Sequence, residues 1–424
     1  MTKALLPFIS LLVIACTPIV TSSTSVSGVT KVLKLTDYAY DDDIRTVRLF
    51  PAGQPLNPAV VPVGSSSLML EFDHLNHERQ NFMARIVHCN YNWTKSALQD
   101  LDFLESYNEF PINNSEFSVD THIPYIHYWF QLPVVKLPGN YVIVVYRDGN
   151  KEDVLLSRRF MIFTNQVAIS RDGRLVGAGT VANANQQLNF TVNYKNMQIL
   201  NPAVDVNVNL RQNQRWDNMS VGVKPTFVRD FSSELEYKVF EESQMFKAGN
   251  EFRFFDIRSL NYPGRNVAYV NNKTKPFEIF LSKDKPRTTE AYAQYNEADG
   301  NYVIDNYDFR DLTYCNYSYV NFQLATKPVA GDVYVSGAFN SWNLDENNRM
   351  KYDTAQQAYT ARVLLKQGHY DYQYQVKSAS LPSYYFEGSH FQTENRYEIF
   401  VYYRPFQPRA DLLVGYMLIE ENPR

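Results

Sequence analysis

The strongest constraint on the fold is an apolar/polar alternation of period two that recurs along most of the chain. Leu188, Phe190, Val192 and Tyr194 alternate with Asn189, Thr191 and Asn193. Val204, Val206, Val208 and Leu210 alternate with Asp205, Asn207 and Asn209, and Tyr370, Tyr372, Tyr374 and Val376 with Asp371, Gln373 and Gln375. Successive side chains of a strand point to opposite faces, so this spacing sets one row on a core and the other toward water. Tyr141 to Tyr146 is a continuous apolar run after Pro138-Gly139-Asn140, the pattern of a strand buried on both faces. Helical spacing is rare, and short turns around Lys95–Leu104 and Ser232–Lys238 are its best candidates. The 31 tyrosines and 27 phenylalanines suit pleated, half-buried surfaces. The predicted class is all-β, in tandem β-sandwiches.

At about 150 residues per domain, 424 residues imply about three. Two polar segments, Asn165–Gly179 and Ser282–Glu290, each follow an apolar strand pattern and divide the chain into domains at 40–165, 166–285 and 286–424. Ahead of them, Lys3 precedes an apolar run from Ala4 to Ala15 and a Ser/Thr-rich stretch, so residues 1–27 read as a secretory signal peptide and leader. The run is too short to cross a bilayer as a permanent helix. It ends Val13-Ile14-Ala15-Cys16, similar to a bacterial lipobox in which the Cys16 thiol is acylated; the competing reading is an ordinary signal peptide that discards Cys16. The net charge of −4 supplies no basic field for nucleic acid.

A catalytic set is not visible. His74 and His77 have metal-ligand spacing, but no Cys, His or carboxylate cluster completes a site, and Asp73–Gln80 reads as a solvated turn. His88 and Cys89 are adjacent, so on a strand they face opposite ways and are poorly placed to share a proton. Cys89 and Cys315 lie in different predicted domains and are expected as two buried free thiols. There is no Gly-rich phosphate loop, nucleophile elbow or paired-carboxylate signature. The chain therefore reads as a non-enzyme with no cofactor, no metal and no nucleic-acid partner.

In the last third, Val333–Trp342 (VYVSGAFNSW), Met350–Asp353, Tyr359–Leu365 and Gly368–Val376 resemble the early-set immunoglobulin-like modules that include glycogen-binding domains. That resemblance allows Trp342 and nearby tyrosines to stack on sugars; the bland reading makes Trp342 and Phe339 core or turn anchors. A second resemblance runs from about residue 40 to the end. It is carried by Ile44–Arg48, Ser67–Asp73, His88–Ser96 (HCNYNWTKS), Tyr125–Tyr128 and Gly139–Tyr141, then by Gln212–Asn218, Asn250–Ser259, Val401–Arg404 and Asp411–Tyr416. In this order and spacing they are similar to the plug protein of the Bacteroidota type IX secretion system. The resemblance implies a periplasmic protein, associated with the outer membrane, that closes a large β-barrel translocon when cargo or a cargo-shuttling partner does not fill it. The barrel is the implied partner, and an acylated Cys16 would add a membrane tether. Gln212–Asn218 and Asn250–Arg258 suit either displaceable polar contacts or bracing of turns. The alternatives are a glycan-binding envelope lipoprotein, motivated by Phe-Asn-Ser-Trp, and a hydrolase with a site built from scattered residues.

Overall fold

The computed structural model describes residues 31–172 and 184–423; the leader and Cys16 lie outside the described residues. Strands dominate, and nearly all pair antiparallel. The first sandwich packs two sheets face to face. One runs Tyr38–Ala39, Val154–Phe163, Gly139–Arg147, Phe82–Cys89, Phe110–Ile112, with Val60–Pro62 parallel to the end of Val154–Phe163. The other runs Ile44–Pro51, Leu68–His74, Ile126–Gln131, Asn114–Phe117. Between them lie Leu70, Phe72, Ile86, Ile143 and Phe160, with Phe72 stacked on Tyr128 at 5.2 Å. Gly139–Arg147 is buried on both faces as its apolar run predicts. Tyr141, Ile143 and Val145 enter this core, whereas Val142 and Val144 enter another beside Phe400, Tyr402 and Leu413.

Strand pairing crosses the boundary expected between 166–285 and 286–424. The C-terminal hairpin, Asn395–Tyr403 with Leu412–Glu421, joins Val206–Gln212 in one sheet, in register from Val206↔Tyr403 to Gln212↔Tyr397. Facing it is the sheet Ala168–Arg171, Phe190–Asn193, Glu234–Tyr237, Phe227–Arg229, and both contribute to a single core. The third sandwich is inserted between. Its sheets comprise Arg253–Asp256, Gly368–Lys377 and Tyr302–Ile304 with Asp332–Ser336, and Val267–Asn271, Glu278–Leu281, Tyr317–Ala325, Ala358–Lys366 and Lys351–Asp353. Its core runs from Phe255 to Phe386. The polar Ser282–Glu290 segment is therefore a loop of this sandwich. Asp284 accepts from Arg253 Nη1 at 2.8 Å and from the Tyr372 and Tyr374 hydroxyls at 2.6 and 2.7 Å. Polarity marked a solvent-facing loop, not a passage between cores.

Two further expectations change. Ser232–Lys238 contains a strand, Glu234–Tyr237, because Leu235 and Tyr237 alternate into the second core against Phe190. Lys95–Leu104 yields one helical turn, Asp100–Phe103. The polar row of Val206–Gln212 does not face water: Asn207, Asn209 and Arg211 are buried along with Val206, Val208 and Leu210. That second face is covered by the first sandwich.

Candidate functional site: the seams between three sandwiches

Three seams join the sandwiches, and the side chains that the sequence marks as polar or aromatic meet there. Between the first and second, Asn209 Nδ2 donates to the Tyr91 carbonyl at 2.7 Å, and Tyr402 OH to Asn140 Oδ1 at 2.8 Å. Asp411 accepts from the Tyr91 amide at 3.0 Å and from both ends of the Arg404 guanidinium. Around these lies the apolar cluster of Val87, Val142, Val144, Phe400 and Leu413. Buried amides and carboxylates are tolerable because each has a partner.

Where all three sandwiches converge, Asp37 is the common contact. Its carboxylate accepts from the Arg159 amide at 2.7 Å, from Trp216 Nε1 at 2.9 Å and from Arg158 Nη1 at 3.2 Å, while its carbonyl accepts from Asn343 Nδ2 at 3.3 Å. Arg159 lies over Trp93 at 4.4 Å and Trp216 at 4.9 Å; Arg211 lies over the Trp216 ring at 4.1 Å and forks onto Glu398 with two 2.7 Å bonds. Guanidinium planes pack on aromatic faces at little solvation cost, which suits Arg to a desolvated joint.

Trp342 belongs to this joint. It is 5% exposed, with Arg215 4.2 Å over its ring and Phe252 5.6 Å away. A Cβ on Gly300, whose φ is +79°, would meet Phe252 at 2.9 Å and Trp342 at 3.0 Å, so the approach requires glycine. Trp342 and Trp93 both hold left-handed backbone, φ 60° and 63°, a conformation that bulky residues keep only where the surroundings impose it. Trp342 thus anchors the joint and presents no ring face to a sugar. Gln212–Asn218 and Asn250–Arg258 brace in the same way: Gln212 Nε2 donates to Tyr397 OH at 3.0 Å, and Arg253 Nε to Glu387 at 3.0 Å. Burial would raise the Glu387 carboxyl, but Arg253 and Arg287 hold it down to about 2.

The seam between the first and third sandwiches centres on Asp73, fully buried at the end of its strand. It accepts from Lys366 Nζ, His127 Nδ1 and Tyr317 OH, each at 2.7 Å, and Tyr317 also shares a 2.5 Å bond with Thr46 Oγ1. Burial alone would raise the Asp73 carboxyl; Lys366 and His127 outweigh it and hold it down to about 2.

The residues weighed for chemistry are scattered. His74 is not in a solvated turn: it is wholly buried, with Nε2 3.1 Å from Asp43, while His77 is exposed in the loop beyond. The strand Leu68–His74 continues through the polar residues because Asp73 and His74 are covered from the other side. His88 and Cys89 are buried on opposite faces of Phe82–Cys89, and burial pushes His88 down to about 4 and Cys89 up to about 12. Cys315 is likewise buried, free and pushed up to about 12 by burial. Such thiols stay protonated and unreactive at neutral pH. Among the described residues, no group of His, Cys, Asp and Glu is placed to hold a metal ion, and no helix is long and apolar enough to cross a membrane. Asp37, Arg159 and Lys366 carried no sequence signal of their role, because their partners are distant in the chain: Arg159's rings lie about 60 positions away, and Asp37's and Lys366's hydrogen-bond partners more than 100.

Comparison with known proteins places the first sandwich. Residues 44–164 match the family model described as the type 9 secretion system plug protein 1st domain. The match spans the first sandwich and stops where the chain passes to the second. The matched region supplies Asp73, Arg158 and Arg159 to the seams, so it is also the one on which the other two sandwiches dock. A solved structure similar over nearly the whole chain is the 2.30 Å crystal structure of a hypothetical protein from Parabacteroides merdae ATCC 43184. It is 28% identical, with a TM-score of 0.85, covering 92% of this chain and 100% of that one. No curated protein matches the chain.

Proposed function

We propose that the protein is a periplasmic plug that closes the outer-membrane translocon barrel of a type IX secretion system when cargo or a shuttling partner does not occupy it. The observation that carries this reading is the plug-type match over residues 44–164. A stopper for a wide pore has to resist deformation, and the seams suit that demand. Asp37, partly buried, links the first sandwich to Trp216 of the second and Asn343 of the third by hydrogen bonds, and Arg211 packs on the Trp216 ring behind it. Buried ion pairs at the seams, such as Asp73 with Lys366, favour one arrangement of the parts, because any other leaves those charges unpaired. The protein needs no catalytic group for this role. Acylation of Cys16 would hold it at a membrane leaflet near its channel.

Deleting the gene should leave cells viable but permeable to bulky antibiotics such as vancomycin, while cargo secretion continues. Deleting the channel as well should return permeability to the wild-type level. Unchanged permeability in a deletion strain whose translocon is expressed and free of partner would remove the reading. The tether is tested separately: an alkyne fatty acid should label the wild-type chain and not Cys16→Ser, and equal labelling of both would exclude lipidation.

A further inference from the structure

Beside the Asp73 seam, a cleft of about 330 Å³ opens between the first and third sandwiches. Its walls are aromatic and apolar: Trp129, half-buried and stacked at 5.8 Å on His127, with Tyr125, Ile304 and Leu312. Its floor is charged but nearly balanced. Arg48 pairs with Glu71 at 2.6 Å, and Lys366 with Asp73 at 2.7 Å. Glu116, exposed on the rim, is the carboxylate of the lining left without a cation among the described residues, and it sits beside the aromatic wall. Arg48 Nε is buried in the floor with no acceptor.

One side of this cleft is a backbone edge. Asn114–Phe117 is the outermost strand of its sheet, paired only with Ile126–Gln131 among the described residues. The Ser118 amide donates inward to Tyr125 O, and the Val119 amide donates outward to Thr313 O at 3.0 Å. Inward and outward amides alternate along an antiparallel strand, so the Ser115 and Phe117 backbone groups face outward, in line with the bond the third sandwich already makes at Val119. Natural proteins keep open edges short and charged; this one is four residues long and carries the exposed Glu116, so it offers a partner only the outward backbone groups of Ser115 and Phe117.

We propose that the cleft docks an extended peptide segment of another protein, which pairs with the Ser115–Phe117 edge and places a lysine or arginine side chain against Trp129 and Glu116, which share the cleft face of the sheet with His127. Rings facing a rim carboxylate suit a cation by cation–π attraction and by a charge-assisted hydrogen bond. The outward amides and the orphaned Arg48 donor call for peptide carbonyls, which is the strand-addition mode of recognition. The proposal concerns recognition of a peptide and stands whether or not the protein is a plug.

The test is calorimetric titration of the full mature chain with the acetylated, amidated pentapeptide Thr-Val-Arg-Val-Thr and with versions carrying Gln or Glu at the centre. The Arg peptide should bind with a dissociation constant of about 0.1–1 mM, as for one strand and one anchor. Central Gln should weaken it about tenfold, and Glu116→Gln should weaken the Arg peptide to a similar degree. Glu116 is exposed, so its substitution leaves the fold intact. N-methylation of the amides facing the edge should abolish binding without any change to the protein, and Glu116→Lys should move the preference to the Glu peptide. Equal binding of all three peptides, no binding at millimolar concentration, or indifference to Glu116→Gln and Glu116→Lys would overturn the proposal.

Discussion

Arg211 and Glu398 are 3% and 1% exposed and joined by two 2.7 Å bonds, so neither can find water if the other is lost. Tyr416 OH adds a 3.1 Å bond to the same carboxylate. Removing one partner of such a pair leaves a buried charge uncompensated, at a cost of about 3 kcal/mol or more. Glu398→Gln should therefore lower the urea midpoint sharply, whereas replacing both residues by apolar ones of similar size should recover much of the loss. Asp73 makes a second case, one that pH can probe. Its folded carboxyl ionises at about 2, below its ordinary 3.8, so its stabilising contribution is fully present above about pH 4 and is lost as pH falls toward 2. Wild type should lose about 2 kcal/mol across that window from this residue. Asp73→Asn should show a shallower acid loss, although it is less stable at pH 7 because Lys366 is left unpaired. Parallel curves for the two proteins in urea titrations at pH 4, 3 and 2 would contradict this account of the seam.

Strands are where the sequence was most legible and chain order least. The alternation places Phe190–Asn193, Val206–Gln212 and Gly368–Lys377, although Val204 and Asp205, read as the start of the second, lie in a helical turn, Pro202–Asp205, with Val204 exposed; Gly139–Arg147 is buried on both faces as its apolar run requires. Period two says which residues share a face but not which strand lies alongside. The C-terminal hairpin's return to Val206–Gln212, across the whole inserted sandwich, left no local mark. Asn209 and Arg211 show the same limit at smaller scale: as the polar row of a strand they predict a wet face, and only the docked first sandwich makes that face dry. The Phe-Asn-Ser-Trp turn gave no hint that Arg215 would cover Trp342, since Arg215 comes from another sandwich. The insertion has a direct consequence. Residues 250–388 carry a complete core and both strands that flank Glu387, so this fragment should fold alone and melt cooperatively. Residues 286–424 lack Arg253–Asp256, Val267–Asn271 and Glu278–Leu281 and carry the C-terminal hairpin without its sheet, so they should not. Cooperative folding of 286–424 together with failure of 250–388 would contradict the topology.

As a whole, the molecule is three sandwiches whose joints are built from the same materials as their cores. An apolar cluster joins the first to the second, a buried carboxylate with three donors joins the first to the third, and Asp37 touches all three. Interfaces between domains of one chain are ordinarily polar and mobile unless they are large and apolar, and these combine apolar burial with paired charges such as Asp73 with Lys366. This suits a stopper that must keep its shape against a wide opening, and the plug-type match lies on the sandwich that takes part in all three joints. The most direct test is conductance. The partner-free translocon, purified and inserted in a planar bilayer, should pass a large steady current. Adding this protein to the periplasmic side should reduce that current to the baseline of the bare membrane, reversibly and with saturation. A current that is unchanged at saturating protein, with the barrel shown to be inserted in the correct orientation, would contradict the account.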